Sequence, residues 1–122
     1  MLATLNELPG LLEWVRAQLT ELDPKTALLC ELAVEEAVVN AMKHGYKGEP
    51  GHIELEFSAT RDALTFTVKD KAPAFDPLRH TSKPDEGVGL VLMRECMDEL
   101  HYKRDEPYNI LQLVKLKGSE IM

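Results

Sequence analysis

Apolar positions recur first at helical spacing. Leu8, Leu11, Leu12, Val15, Leu19 and Leu22 repeat every three or four residues, with Glu13, Arg16, Gln18 and Glu21 between them. This predicts a helix from about Asn6 to Leu22. Asp23 followed by Pro24 reads as a restart: an N-cap carboxylate, then a proline at the first helical position, where its missing N–H costs nothing. The second helix is expected to run to Gly45, read as a left-handed C-terminal residue. Its apolar positions go nearly all the way round the wheel at ~100° per residue. Burial on most sides is therefore expected, and each polar residue on this helix needs a reason.

The period then changes to two. Over His52–Thr60, Ile53, Leu55 and Phe57 alternate with Glu54, Glu56 and Ser58, and over Ala63–Asp70 the inward set is Leu64, Phe66 and Val68. With Arg61 and Asp62 as the turn, this predicts an antiparallel hairpin with one wet face. From Lys71 to Glu86 the periodicity vanishes and Pro73, Pro77 and Pro84 break the chain, which predicts an ordered loop or lid. Gly87–Glu99 reads as a third helix, and Leu100–Arg104 and Asn109–Lys117 as two closing strands. Helices in blocks and strands in pairs predict an α+β fold. It should be a single domain, 1–122, built as a two-layer sandwich with a mixed, mainly antiparallel sheet covered on one face by helices.

Composition narrows the function classes. At 122 residues, 44% apolar and 29% charged, the chain is an ordinary globular domain. No apolar run approaches the ~20 residues of a membrane span, and no basic start precedes the first leucines, so a cytoplasmic location is expected and no membrane partner. The formal charge is −7 with no Lys/Arg cluster, which argues against direct nucleic acid binding. It does not argue against a nucleotide, whose phosphates backbone amides and a magnesium ion can neutralise. Cys30 and Cys96 stand alone in apolar stretches and are expected to be buried, reduced thiols.

The residues with chemistry are few. Glu36, Asn40 and His44 follow each other at i, i+4 and i+8 on the second helix. Asn40 offers a neutral oxygen suited to Mg2+, and Glu36 can take a proton from a hydroxyl held nearby. The same triplet also reads as a solvated edge with local hydrogen bonding. Asp70 ends the second strand; it is either a turn residue or an acceptor for an exocyclic amine such as that of adenine. Gly87-Val88-Gly89 opens the third helix, where free N–H groups attract phosphate, and Arg79, His80 and Lys83 precede it. No GxxxxGK[ST], HExxH or GxSxG is present.

Taken together these segments resemble the GHKL (Bergerat) ATPases, and among them the anti-sigma factor and serine-protein kinase branch. Glu35-Glu36-Ala37-Val38-Val39-Asn40-Ala41 followed by His44-Gly45-Tyr46 looks like that superfamily's N box. Asp70 to Pro77 is similar to its first glycine box, D-x-G-x-x-F-D-P, and Gly87-Val88-Gly89-Leu90 to its second. Met97-Asp98-Glu99-Leu100 is similar to the M-D-E-V that follows in this branch, and the segment from Asn109 to Lys115 to its final strand. The resemblance spans roughly Leu5 to Lys117. It implies the cofactors ATP and Mg2+, with Asn40 on the metal, Glu36 as general base and Asp70 on the adenine amine. The remaining nucleotide contacts would fall on His44, Ala72, Phe75, Gly87, Val88, Gly89 and Leu90, with Arg79 and Lys83 in a short lid between Arg79 and Glu86. It also implies a kinase that phosphorylates a serine of a STAS-domain anti-sigma antagonist, in a partner-switching system with a sigma factor, as a homodimer. The alternative is a regulatory module that binds ATP without transferring phosphate. Two departures stand out. Ala72 and Ala74 replace glycines of the first glycine box, and few residues precede the first helix where the family has a strand.

Overall fold

The computed structural model describes residues 2–3, 8–20, 22–47, 49, 51–74 and 91–116. In chain order the elements are β1 (Leu2–Ala3), α1 (Leu8–Gln18), α2 (Pro24–Asn40), a π-helical turn (Ala41–Gly45), β2 (Gly51–Ala59), β3 (Ala63–Asp70), a helical stretch at 91–96, β4 (Glu99–Asp105) and β5 (Tyr108–Leu116). The strands form one sheet in the order β1-β2-β3-β5-β4, and every neighbouring pair is antiparallel. The α+β sandwich expected from the periodicities is therefore present, with an antiparallel rather than mixed sheet among the described residues.

Inward residues line up in register across the strands. Val68 pairs with Leu55 on one side and Leu111 on the other, and Phe66 with Phe57 and Leu113. These residues join Leu11 and Val15 of α1, Leu19 just after it, Cys30, Ala33, Val34, Ala37 and Val38 of α2, and Met93 and Cys96 in one core. The Phe57 and Phe66 rings lie 4.9 Å apart and tilted, a geometry that adds about 0.5–1.5 kcal/mol beyond area burial. Both cysteines are buried thiols.

Local signals set the helix starts. Asp23 caps α2: its carboxylate accepts from the Thr26 amide (3.0 Å) and hydroxyl (2.7 Å), and Pro24 follows it. The two bonds from Thr26 hold the Asp23 carboxyl below its ordinary range. The hairpin closes through the Thr60 amide on the Ala63 carbonyl, 2.8 Å.

The sheet edge ahead of the first helix is short: Leu2 and Ala3 pair with His52 and Gly51. Four expectations need correcting. The first helix is shorter than Asn6–Leu22, since the chain turns at Leu19, whose amide bonds the Arg16 carbonyl. α2 is buried on one side only: Thr26, Cys30, Ala33, Val34, Ala37 and Val38 face the core, while Leu28 is 54% exposed. Its apolar circumference reflects alanines and valines that sit on half-buried flanks as easily as in the core. Gly45 is not left-handed; the helix instead widens to a π turn, with the Tyr46 amide on the Ala41 carbonyl at 2.9 Å. The third helix ends at Cys96, not Glu99, because β5 captures the chain. The Asp98 amide donates to the Val114 carbonyl, the Asp98 carboxylate accepts from the Leu116 amide, and Lys115 reaches the Cys96 carbonyl.

Candidate functional site

One row of the sheet differs from the rest. Asp70 pairs with Asn109, and Asn109 is in turn opposite Arg104, so three polar side chains cross β3, β5 and β4 on the helix-covered face. The next row inward is apolar apart from one hydroxyl: Leu55, Val68, Leu111 and Tyr102. α2 and its π turn lie over this end of the sheet. Between them is a narrow cleft, open on one side, whose enclosed space is about 20 Å³, room for about one water. Its walls are Ala37, Asn40, Ala41, Gly45, Val68, Asp70, Tyr102, Asn109 and Leu111. Its lining is mostly apolar, with a few polar groups converging on it.

Asp70 and Asn109 are both buried, at 8% and 5% exposure, and neither would stay there without partners. The Asp70 Oδ1 accepts from Asn109 Nδ2 at 2.8 Å and from the Ala72 amide at 3.0 Å. Its Oδ2 has no hydrogen-bond partner among the described residues. Burial pushes the Asp70 carboxyl up from its ordinary value, while the bonds from Asn109 and the Ala72 amide, and the nearby charge of Arg104, act in the opposite direction. The arrangement is an acceptor held from behind and presented to the cavity.

The segment after Asp70 is fastened from three sides. Asn109 Nδ2 also approaches the carbonyls of Ala72 (3.1 Å) and Pro73 (3.2 Å), and Arg104 donates to the Ala72 carbonyl at 2.9 Å while Glu106 grips its other nitrogens. The Tyr102 hydroxyl donates to Asn109 Oδ1 at 2.6 Å. From the far side, the Tyr46 hydroxyl donates to the His52 carbonyl and accepts from the Lys71 amide, both at 2.6 Å. Burial raises the Tyr46 phenol above its ordinary value, which keeps it protonated for that donation.

Of the residues singled out from sequence, Asn40 and Asp70 line the same cavity from opposite walls. Glu36 stands one turn before Asn40, half-buried, with no ion-pair partner among the described residues. Glu35 lies instead toward α1, where it joins Glu31 and Glu13 in raising the Arg16 guanidinium, with the Glu31 hydrogen bond the largest influence. Ala72 is buried, but its methyl faces Gly45 and is not part of the cavity wall; its amide, not its side chain, serves the site. The backbone of His44 is in the π turn. The His44 side chain and Phe75, Arg79, Lys83, Gly87, Val88, Gly89 and Leu90 lie outside the described residues, as does the expected lid. Among the described residues, no group of three His, Cys, Asp or Glu side chains could hold a metal, and no helix is long and apolar enough to cross a membrane.

Sequence reasoning missed Asn109, Tyr102, Arg104 and the Tyr46 hydroxyl as parts of this site. One signal was available: an asparagine opening an otherwise apolar strand has to be paid for with partners.

Comparison with known proteins identifies the family. The family model for the histidine kinase-like ATPase domain matches residues 1–115. The chain is 26% identical over 106 residues to the serine-protein kinase RsbW of Bacillus cereus (strain AH187), and equally to that of Bacillus thuringiensis subsp. konkukian (strain 97-27). Each alignment covers 75% of this chain and 65% of the relative, so the chain spans just under two thirds of their length.

Proposed function

Because the chain belongs to the histidine kinase-like ATPase domain family, we propose that this cavity binds the adenine end of ATP and that the protein is a serine-protein kinase of the anti-sigma type. The observation that carries the reading is the Asp70 carboxylate, with Oδ1 saturated by Asn109 and the Ala72 amide and Oδ2 left to a ligand. A carboxylate acceptor at the base of a mostly apolar cleft suits an exocyclic amine flanked by a flat ring. Adenine has that amine where guanine has a carbonyl oxygen.

Asn40 is on the wall opposite Asp70, and its side-chain oxygen would help to hold a magnesium ion. When bound, that ion would offset charge on the transferring phosphoryl group. Glu36, one turn earlier and without a protein partner among the described residues, would accept the proton of an incoming serine hydroxyl. Phosphate contacts are assigned to Gly87, Val88, Gly89 and Leu90 by motif alone, with Arg79 and Lys83 adding charge. The acceptor serine would belong to a STAS-domain antagonist of a sigma factor, and the chain would act as a cytoplasmic homodimer. These assignments rest on the relatives' name and the motif resemblance.

Two measurements test the reading in sequence. Calorimetry with Mg-ATP should show saturable binding, preferred over Mg-GTP. Incubation with labelled ATP and a STAS-domain protein should then move the label to a serine. Binding without transfer to any STAS protein would leave the regulatory-module alternative standing in place of the kinase.

A further inference from the structure

Asn109 is bonded in a way that permits only one orientation of its amide. Its oxygen receives the Tyr102 hydroxyl at 2.6 Å, and its nitrogen faces three acceptors: Asp70 Oδ1, the Ala72 carbonyl and the Pro73 carbonyl. Turning the amide over would set its oxygen against three others. The nitrogen therefore always presents hydrogens to Asp70, and with the Ala72 amide it occupies Oδ1. A proton added to this carboxyl has to go on Oδ2, the oxygen left to a ligand.

Building on the nucleotide reading above, we propose that Asn109, held by Tyr102, is the positioning residue that sets purine selectivity, by keeping Asp70 an acceptor rather than a donor toward the base. An ionised Oδ2 accepts from a 6-amino group; a protonated one donates to a 6-oxo group. Which form is present depends on what faces the carboxyl. Burial favours the neutral form, and Asn109, the Ala72 amide and Arg104 on β4 favour the ionised one. The other neighbours are the Tyr46 phenol beyond α2, Tyr102 on β4, the uncharged Asn40 on α2, and Ile53 on β2. Of the ionising influences, Asn109 is the largest, so its removal moves the balance most.

The test is the affinity of the intact chain for Mg-ATP and Mg-ITP, which differ at the 6-position, measured by calorimetry from pH 5 to 8.5. The variants are Asn109→Leu, which removes the amide, and Tyr102→Phe, which removes one of the groups that hold it. Asn109→Leu is expected to move the acid limb of ATP binding upward by about one pH unit. It should also narrow ATP-over-ITP discrimination roughly tenfold at the pH of that limb, one unit being a factor of ten. Tyr102→Phe should shift both in the same sense by less, and carries the test by itself if Asn109→Leu does not fold. Asn109→Gln, which keeps the amide, should restore part of the discrimination. Equal losses of ATP and ITP affinity with an unmoved pH profile would show Asn109 to be structural and overturn the proposal. A wild-type chain that binds neither nucleotide would instead overturn the nucleotide reading on which the proposal rests.

Discussion

Gly45 and Ala72 lie close together: a Cβ at position 45 would stand 3.0 Å from the Ala72 methyl and 4.0 Å from Asp70 Oδ1. The two positions share room for one methyl group, and this chain has placed it at 72. The alanine at position 72 is thus accommodated by the glycine at the end of the π turn. Gly45→Ala is expected to destabilise by about 1–3 kcal/mol, the range for overpacking a closed interior. Ala72→Gly should cost about 1 kcal/mol through a lost methyl and a freer backbone. The double variant should be less destabilised than the sum, read as a non-additive shift in denaturation midpoint at constant slope. Strict additivity would mean that the two positions do not compete for the same space.

Asp70 is expected to cost the fold something while serving the site. Its native pKa is raised, so between the ordinary value of 3.8 and the native one the folded state holds a proton that the unfolded chain has released. Stability attributable to Asp70 is full below 3.8 and falls as pH rises through the native value. Asp70→Asn keeps the Oδ1 acceptor and removes the titration. It should therefore be at least as stable as wild type at pH 7, its relative advantage growing from pH 4 to pH 7 in urea titrations. The same variant places a donor where the adenine amine needs an acceptor and should weaken ATP by about 1–3 kcal/mol. Loss of both stability and binding at pH 7 would count against this account.

Asn40 lines the cavity half-exposed and makes no hydrogen bond to described residues, so its side chain is free of structural duty. Asn40→Ala should leave the ligand-free melting temperature within about 2 °C of wild type, as surface-like changes typically cost under ~0.5 kcal/mol. It should lose the part of ATP affinity that depends on magnesium. An Asn40→Ala chain that melts far below wild type without nucleotide would make Asn40 a structural residue.

Glu35 and Glu36 are neighbours in sequence but serve different surroundings, Glu35 toward Arg16 of α1 and Glu36 beside Asn40. Glu36→Gln should retain ATP affinity and reduce phosphate transfer to a STAS partner by at least about a hundredfold, the lower end of base catalysis. Glu35→Gln should retain most activity. Matching losses in the two variants would leave neither assigned as the base.

Much of the framework could be read from the sequence because it depends on short-range rules. Period 3.6 followed by period 2 marks helix pair and hairpin. Asp23-Pro24 marks the start of α2, and alternation in β3 puts Leu64, Phe66 and Val68 inward and carries Asp70 to the same face. The motif spacing likewise pointed to Asn40 and Asp70, which share one cavity. What tertiary structure decided were relations between distant positions. Asn109 meets Asp70 only because β5 inserts between β3 and β4, which puts residue 109 opposite 70 and 104 opposite 109. The Tyr46 hydroxyl bridges His52 and Lys71 only because the π turn delivers it there, and Gly45 matters for what packs on it, not for a left-handed backbone. Periodicity registers which face a side chain takes; a hydrogen-bond partner across the sheet depends on strand order and register, which no local pattern encodes.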